Sequence, residues 1–530
     1  MERRWVSRWS LAGLSALNVV LLLKNIGTQS LWLDEVTSLT VAKASLPAAA
    51  RFFRQFPEQH PLYYIILKAW LLLGSDEATL RGLSAIFAGF CVWAVFGLGA
   101  RLYDEDTGLV AAALMAVSPF MLYYGQEARM YSLLGLLSIV ATSLLFCWCA
   151  SPRGRYAAGY VTVAIAGLYT HFFFGFLLIA HLAWAYGTRR GWRTLLGLQA
   201  LAAVAYAPWA ILILTHPPAQ QSWKGIQNVV FGLPYTLLRF SLGYSELIAN
   251  VGWKQGITGE VIRNAPLLFL SCLGFGTAAL LGLKRAFRMK GASLLVGYGL
   301  LIPPVLAIGL SGVVILVGER YLMVSYPFYV LAVAGGITQL GARSRQWPAL
   351  ALAATVALVT GHSLYRYYFD GSFGKEQWRE VAAFVQTRRQ PGDVVVIHRG
   401  YLKDAFTYYW RRFGTELTLL SSDDDVTSAT ASSRVWIVVS HAPDYEPVER
   451  TLALTHEPVC EQLFPHETGI RVVLMTRREA GGHATAGPLP RCDAQHQGIE
   501  RNGHRTIRFS IAPQPRTDLR NLRPKRWSRS

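Results

Sequence analysis

Charge is scarce in this sequence. Only 16% of its 530 residues are Asp, Glu, Lys or Arg, against about a quarter in a soluble chain. Acidic residues are the scarcer kind, 32 against 51 basic ones. That shortage excludes disorder, a coiled coil and an ordinary soluble enzyme for most of the length. Six cysteines are too few for a disulfide scaffold. There is no internal repeat, no glycine-rich phosphate loop and no cytosolic nucleotide motif. The net charge of +19 comes with no basic-aromatic recognition module, so nucleic acid is not the expected partner.

What is abundant is apolar sequence. Hydrophobic residues make up 52% and the mean hydropathy is +0.29. The excess falls in long runs up to about residue 369. A polytopic membrane protein with a polar C-terminal part is predicted. Part of the positive charge is in the tail, where residues 477–530 hold twelve basic and four acidic side chains. Most of the rest lies in short loops between apolar runs, as the positive-inside rule requires. Cys91, Cys147, Cys149 and Cys272 lie in apolar runs and read as small buried hydrophobes. Cys460 and Cys492 lie in the polar part; they either pair in an oxidising compartment or stay free.

The run from about residue 10 to 23 reads as an uncleaved first span. Lys24-Asn25-Ile26 follows it and offers no small-x-small cleavage site. Arg3, Arg4 and Arg8 hold the N-terminus on the cytoplasmic side. The second run, 61–73, is about thirteen residues, short of the roughly 20 that a spanning helix needs. It is expected as a juxtamembrane helix within one outer loop, about 24–79. Ten more spans are expected at about 80–103, 108–124, 131–150, 156–170, 172–186, 194–215, 265–283, 294–317, 321–340 and 347–367. Threaded from an inside N-terminus, these eleven put the loops with Arg153/Arg155, Arg189/Arg190/Arg193, Lys284/Arg285/Arg288/Lys290 and Arg343/Arg345 inside. Counting 61–73 as a span would invert them. The piece 229–247, broken by Gly232, Pro234 and Gly243, reads as amphipathic or partly inserted.

Everything beyond about residue 370 then lies outside. Residues 375–388 and 406–413 have helical character. Residues 393–397, 434–439 and 469–475 read as strands. A small soluble α/β domain over 370–476 is predicted, followed by a basic disordered tail over 477–530.

The outer loops carry polar groups hard against apolar helices. Asp34 and Glu35 follow the first span; two acids at a membrane boundary are costly unless solvated, paired or metal-bound. Asp34 reads as a helix N-cap, or as one of a pair supplying a general base or a metal ligand. Gln59-His60-Pro61-Leu62-Tyr63-Tyr64 opens the short helix, and His60 alone is equally a surface histidine. In the tight loop Gln126-Glu127-Ala128-Arg129-Met130-Tyr131, Glu127 and Arg129 are either a solvated pair or, for Arg129, a phosphate ligand. Tyr169-Thr170-His171-Phe172 marks an outer hairpin whose His171 is a proton handler, a metal ligand or a plain turn residue. Gly318-Glu319-Arg320-Tyr321 offers a second anion-binding Arg. All five sets fall on one expected face. That pattern points to an external site for a charged, lipid-borne substrate.

These motifs together resemble those of the bacterial GT-C glycosyltransferases, within them glycosyltransferase family 39, the dolichyl-phosphate-mannose-protein mannosyltransferase-like membrane proteins. The carriers are the acidic pair after the first span, His60-Pro61-Leu62-Tyr63-Tyr64, Leu80-Arg81-Gly82-Leu83-Ser84-Ala85, the stretch from Ser118-Pro119 to Tyr131, Tyr169-Thr170-His171 and Glu319-Arg320-Tyr321. The resemblance spans roughly residues 10–340. Where the family commonly has His-Pro-Pro, this chain has His60-Pro61-Leu62.

The resemblance implies an all-α polytopic GT-C domain over 1–369, with about eleven transmembrane helices plus juxtamembrane helices, and a small C-terminal α/β soluble domain. It implies a bacterial cytoplasmic membrane protein with an extracytoplasmic C-terminal domain. The implied activity is transfer, with inversion, of a sugar from a polyprenyl-phosphate donor to a hydroxyl acceptor on a lipid, polysaccharide or protein. Asp34 matches the catalytic acid of the first loop and Glu35 its neighbour. Arg129, Arg320 and His60 are the implied ligands of the donor phosphate. Tyr63, Tyr64, Gln126, Glu127 and Tyr131 are the implied pocket. No cofactor is required by this reading; a divalent metal is an alternative, with His171, Glu35 and His60 as candidates. The competing class is a lipid or solute transporter or flippase. It would place charges near mid-span, and the middles of the expected spans hold almost none, Arg239 in the doubtful 229–247 piece excepted. A membrane sensor would need a ligand site in 370–476, and none is evident.

Overall fold

The computed structural model describes residues 2–216, 227–243, 265–310, 318–342, 346–370, 374–422, 426–440, 446–466, 469–478 and 489–492. Of the tail expected over 477–530, residues 477–478 and 489–492 are described; residues 479–488 and 493–530, like the loop with Arg343 and Arg345, lie outside the described residues.

Apolar sequence becomes helix throughout the first part of the chain, since only internally bonded backbone is tolerated in lipid. Helix α1 is Glu2–Leu23. The first loop then folds into three short helices, α2 (Leu33–Lys43), α3 (Leu46–Gln55) and α4 (Pro61–Trp70). Asp34 does not cap α2; Trp32 holds the N-cap position and Asp34 lies in the first turn. At ten residues α4 is about 15 Å long, half the hydrocarbon thickness. The juxtamembrane reading of this segment fits that length.

Helices α5 (Glu77–Leu102), α6 (Glu105–Ala116), α7 (Pro119–Gly125), α8 (Tyr131–Ala150), α9 (Gly154–Thr170), α10 (Phe174–Gly187), α11 (Trp192–Thr215) and α12 (Gln227–Leu242) follow. Then come α13 (Ala265–Met289), α14 (Leu294–Leu310), α15 (Tyr326–Gly341) and α16 (Gln346–Phe369). Among the described residues six helices are long and apolar enough to cross a membrane, and α6 with α7 makes a seventh if the bent pair is one span. Of the other four expected spans, α9, α10 and α15 are shorter helices and α1 has its apolar part at Ser7–Leu23.

The run expected as a single helix over 108–124 bends by 57° between α6 and α7. Pro119 starts α7 and has no N–H to continue the ladder. Polar side chains take up the freed backbone groups. Asn18 Nδ2 donates to Ala116 O at 2.7 Å, and Ser118 Oγ accepts from Met121 N at 3.0 Å. Helices α13 and α15 meet backbone to backbone. A methyl group on Gly282 or Gly336 would run into the carbonyls of Ala332 or Ala278.

The C-terminal part is a five-stranded sheet in the order β2-β1-β3-β5-β4. Strand β1 (Val394–His398) runs parallel to β2 (Thr418–Ser421) and β3 (Arg434–Ser440). Strand β5 (Ile470–Arg477) runs antiparallel to β3 and to β4 (His456–Phe464). Strands β1 and β3 are apolar along nearly their whole length and buried on both faces. Cys460 and Cys492 form a disulfide that ties residues 489–492 to the edge strand β4.

This sheet and its helices α17 (Trp378–Arg388) and α18 (Lys403–Trp410) rest on the first loop. Leu31 N donates to Tyr409 Oη at 2.6 Å, and Ser30 Oγ donates to Glu380 Oε2 at 2.7 Å. Arg379 and Arg412 both reach Glu77 Oε1 at 3.1 Å. The loop that carries the acidic pair is thus clamped between the bundle and the C-terminal part.

Candidate active site

The first turn of α2 projects two adjacent carboxylates in different directions, because neighbours on a helix lie about 100° apart. Glu35 points into the protein and is fully buried. Arg81, at the start of α5, grips it with two parallel bonds, Nε to Oε1 at 2.8 Å and Nη2 to Oε2 at 2.7 Å. Lys375 Nζ adds a contact to Oε1 at 3.1 Å and Ala128 N another at 3.0 Å. The remaining Arg81 donors bind the carbonyls of Ile26, Gln29 and Ser30. Burial on its own would raise the Glu35 pKa; the charges of Arg81 and Lys375 outweigh it and hold the carboxyl at about 2. Glu35 is therefore a permanently ionised tie between helices. It has no capacity left for a proton or a metal ion.

Asp34 is the opposite case. Its side chain keeps 26% exposure. Arg320 Nη1 lies 3.3 Å from Oδ2 and Arg129 Nε 3.8 Å from the same oxygen. Arg129 is itself buried. Its Nη1 donates to Tyr64 Oη at 3.0 Å and its Nη2 to Gln59 Oε1 at 3.1 Å. Tyr64 Oη in turn donates to Gln59 Oε1 at 2.7 Å. The Arg129 carbonyl accepts from Ser84 Oγ at 3.1 Å, and Ser84 is bonded to Tyr63 Oη at 2.9 Å. The motifs at 34–35, 59–64, 126–131 and 318–321 thus meet in one cluster.

Glu127 is buried in the same cluster, and its Oε1 has no hydrogen-bond partner among the described residues. Burial pushes its carboxyl up to about 7; Lys375 acts against that, while Glu35 and Asp34 add to it. Arg81, Arg129, Arg320 and Lys375 therefore face Asp34, Glu35 and a Glu127 that is half protonated near neutrality. The surplus is positive, as an anionic ligand requires.

The remaining predicted residues support the cluster from behind. Gln126 does not line it. Its Nε2 donates to the carbonyls of Leu21, Leu22 and Lys24 at the end of α1, and its Oε1 accepts from Tyr367 Oη. Tyr63 and Tyr131 are buried. His60 does not present a free ring to a phosphate. Its Nδ1–H donates to Glu58 O at 2.9 Å and its Nε2 accepts from Tyr206 Oη at 2.8 Å. Burial pushes its pKa down to about 4, so the ring is neutral. His171 stacks on it with centroids 5.8 Å apart, and burial, reinforced by the charges of Arg129 and Arg320, drives its pKa well below the ordinary value. Among the described residues no group of three or more His, Cys, Asp or Glu is arranged to hold a metal ion. With Glu35 saturated and both His60 nitrogens engaged, these two do not fit the role of metal ligands, and His171 alone does not make a site.

Two residues of the cluster carried no assigned role in the sequence reading. Arg81 had a signal, a lone Arg at the mouth of an apolar run. Lys375 had none, since a lysine in polar sequence reads as solvated.

The helical bundle with its C-terminal sheet is the GT-C architecture. ArnT from Cupriavidus metallidurans bound to undecaprenyl phosphate superposes with a TM-score of 0.53 at 14% identity, covering 89% of this chain and 98% of that one. Archaeal oligosaccharyltransferase AglB from Archaeoglobus fulgidus, in complex with an inhibitory peptide and a dolichol-phosphate, gives 0.51 at 10% identity over 88% of this chain and 74% of that one. In sequence, residues 58–216 match the family model described as dolichyl-phosphate-mannose-protein mannosyltransferase. The resemblance to GT-C glycosyltransferases holds in both comparisons. No curated protein matches the chain by sequence.

Proposed function

We propose that this protein is an integral-membrane glycosyltransferase. It moves a sugar from a polyprenyl-phosphate donor to a hydroxyl acceptor at the outer face of the membrane, with inversion at the anomeric carbon. Asp34 is the general base. The observation that carries this reading is the contrast within the acidic pair: Glu35 is locked between Arg81 and Lys375, while Asp34 is part-exposed beside Arg129 and Arg320.

Attack by the acceptor oxygen on the anomeric carbon breaks the sugar–phosphate bond, and the phosphate leaves with the bonding electrons. Asp34 removes the hydroxyl proton as the new bond forms, a contribution of roughly 10²–10⁴ in rate. Arg320 and Arg129 stabilise the departing phosphate. A metal is not needed for this sequence. The phosphate lipids bound to the two structural neighbours, an undecaprenyl phosphate and a dolichol-phosphate, support a lipid-linked donor. The Cys460–Cys492 disulfide supports an oxidising, extracytoplasmic place for the C-terminal part.

Incubating the purified protein with a panel of labelled polyprenyl-phosphate sugars tests the reading. Consumption of one donor, with release of the lipid phosphate, is expected. If no donor in the panel is consumed while vesicles containing the protein translocate labelled lipid, the flippase reading replaces this one.

A further inference from the structure

Lys375 lies outside the motifs that define the site, in the stretch between α16 and α17. Yet its ammonium is inside the cluster, buried and 340 positions from the glutamate it binds. Nζ lies 3.1 Å from both Glu35 Oε1 and the Gln126 carbonyl, and 5.6 Å from the centre of the Tyr123 ring. A buried ammonium with three donors is held only where acceptors are provided for it. Here they come from two separate loops of the bundle. The backbone around Lys375 is fixed in turn. Lys375 N donates to Gln29 Oε1 at 3.3 Å, Arg379 N donates to Ser30 Oγ at 3.2 Å, and the buried Trp378 bonds Glu376 through Nε1 at 2.6 Å.

The turn that precedes Arg129 is therefore gripped at both ends. Lys375 holds the Gln126 carbonyl, and the Lys375-bound Glu35 holds the Ala128 amide at 3.0 Å. Arg129 comes next, with its guanidinium 3.8 Å from Asp34. We infer that Lys375 is a positioning residue: it carries the C-terminal α/β part into the site and fixes the 126–128 turn that aims Arg129 at Asp34. The C-terminal part is then a component of the site, and a bundle without it holds Arg129 loosely. The clasp itself stands on contacts alone; its consequence for phosphate binding rests on the function proposed above.

Lys375→Met and Lys375→Arg in the full-length protein in nanodiscs test this with two readings. The first is hydrogen–deuterium exchange at the Ala128 amide, which needs no substrate. The second is the affinity for undecaprenyl phosphate, used as the probe. Arg81 still pairs Glu35 in Lys375→Met, so the fold is retained. Exchange at Ala128 is expected to rise by about tenfold or more, and the affinity to fall by about tenfold, the effect of losing a charge-assisted bond. Lys375→Arg keeps the charge and is expected to remain within about threefold of wild type in both readings. Unchanged exchange in Lys375→Met overturns the clasp. Faster exchange with undiminished affinity overturns the positioning role. A fall in melting temperature common to both variants, with Ala128 still protected, overturns it as well. If wild type fails to bind the probe while exchange rises as expected, the clasp stands and the donor reading falls.

Discussion

The two halves of the cluster differ in how completely their charges are satisfied. Around Glu35 each carboxylate oxygen is bonded, to Arg81, Lys375 and the Ala128 amide, and water is excluded. Around Asp34 the contacts are longer, the side chain is part-exposed, and two guanidinium groups face one oxygen. A saturated ion pair holds structure together; an unsaturated one leaves room for a ligand. Adjacency in sequence hides this difference, because both acids look equally available there.

Breaking the closed half has the largest effect. Arg81→Leu removes both parallel bonds to buried Glu35, leaves Oε2 without its cation, and is expected to cost about 3–5 kcal/mol of stability, Lys375 and the Ala128 amide holding only Oε1. Chemical unfolding should show it, and loss of membrane-inserted protein should accompany it. Within the open half, Arg129→Ala is expected to weaken polyprenyl-phosphate binding by roughly 1.5–3 kcal/mol. Arg129→Lys is expected to lose less, since it keeps the charge but not the fork to Tyr64 and Gln59. Equal losses in a binding titration would argue against a bidentate phosphate contact.

A graded effect comes with pH. The His60 pKa falls from 6.5 to about 4 in the folded protein. Its neutral ring therefore contributes stability that is full above 6.5 and is lost as pH drops through 4, by about 1.4 kcal/mol per unit in that window. Glu127 has the opposite sign: its pKa rises from 4.5 to about 7, so its contribution is full below 4.5 and is lost as pH rises through 7. The difference in melting temperature between wild type and His60→Gln, followed from pH 7.5 to 4.5, isolates the histidine. That difference is expected to shrink on acidification. A constant gap would mean that the ring does not titrate as its burial requires.

Much of the architecture was legible in the residues. Apolar runs placed α8 at its observed bounds and α5 within a few residues, because hydropathy averaged over a span is insensitive to packing. Thirteen apolar residues were too few to cross, and α4 is accordingly short. The break between α6 and α7 was missed, since averaging also smooths over Ser118-Pro119. Helices α2 and α3 were missed because the first loop has no long apolar run; α3 presents an amphipathic surface with no buried residue. Strand β2 is only four residues long and β4 shows no strict alternation of polar and apolar residues, so neither stood out. In the site, the meeting of Asp34, Arg129 and Arg320 was anticipated from the topology. The partition of roles between Asp34 and Glu35 was not, because it depends on Arg81 and on Lys375, which arrives from the far end of the chain.

The role of Asp34 as general base is tested by single-turnover sugar transfer in purified Asp34→Asn, beside its unfolding midpoint and its affinity for undecaprenyl phosphate. A transfer rate lower by about 10²–10⁴ is expected, at an unchanged midpoint with lipid still bound. Transfer at the wild-type rate would contradict it, and the base would have to be sought elsewhere in the cluster.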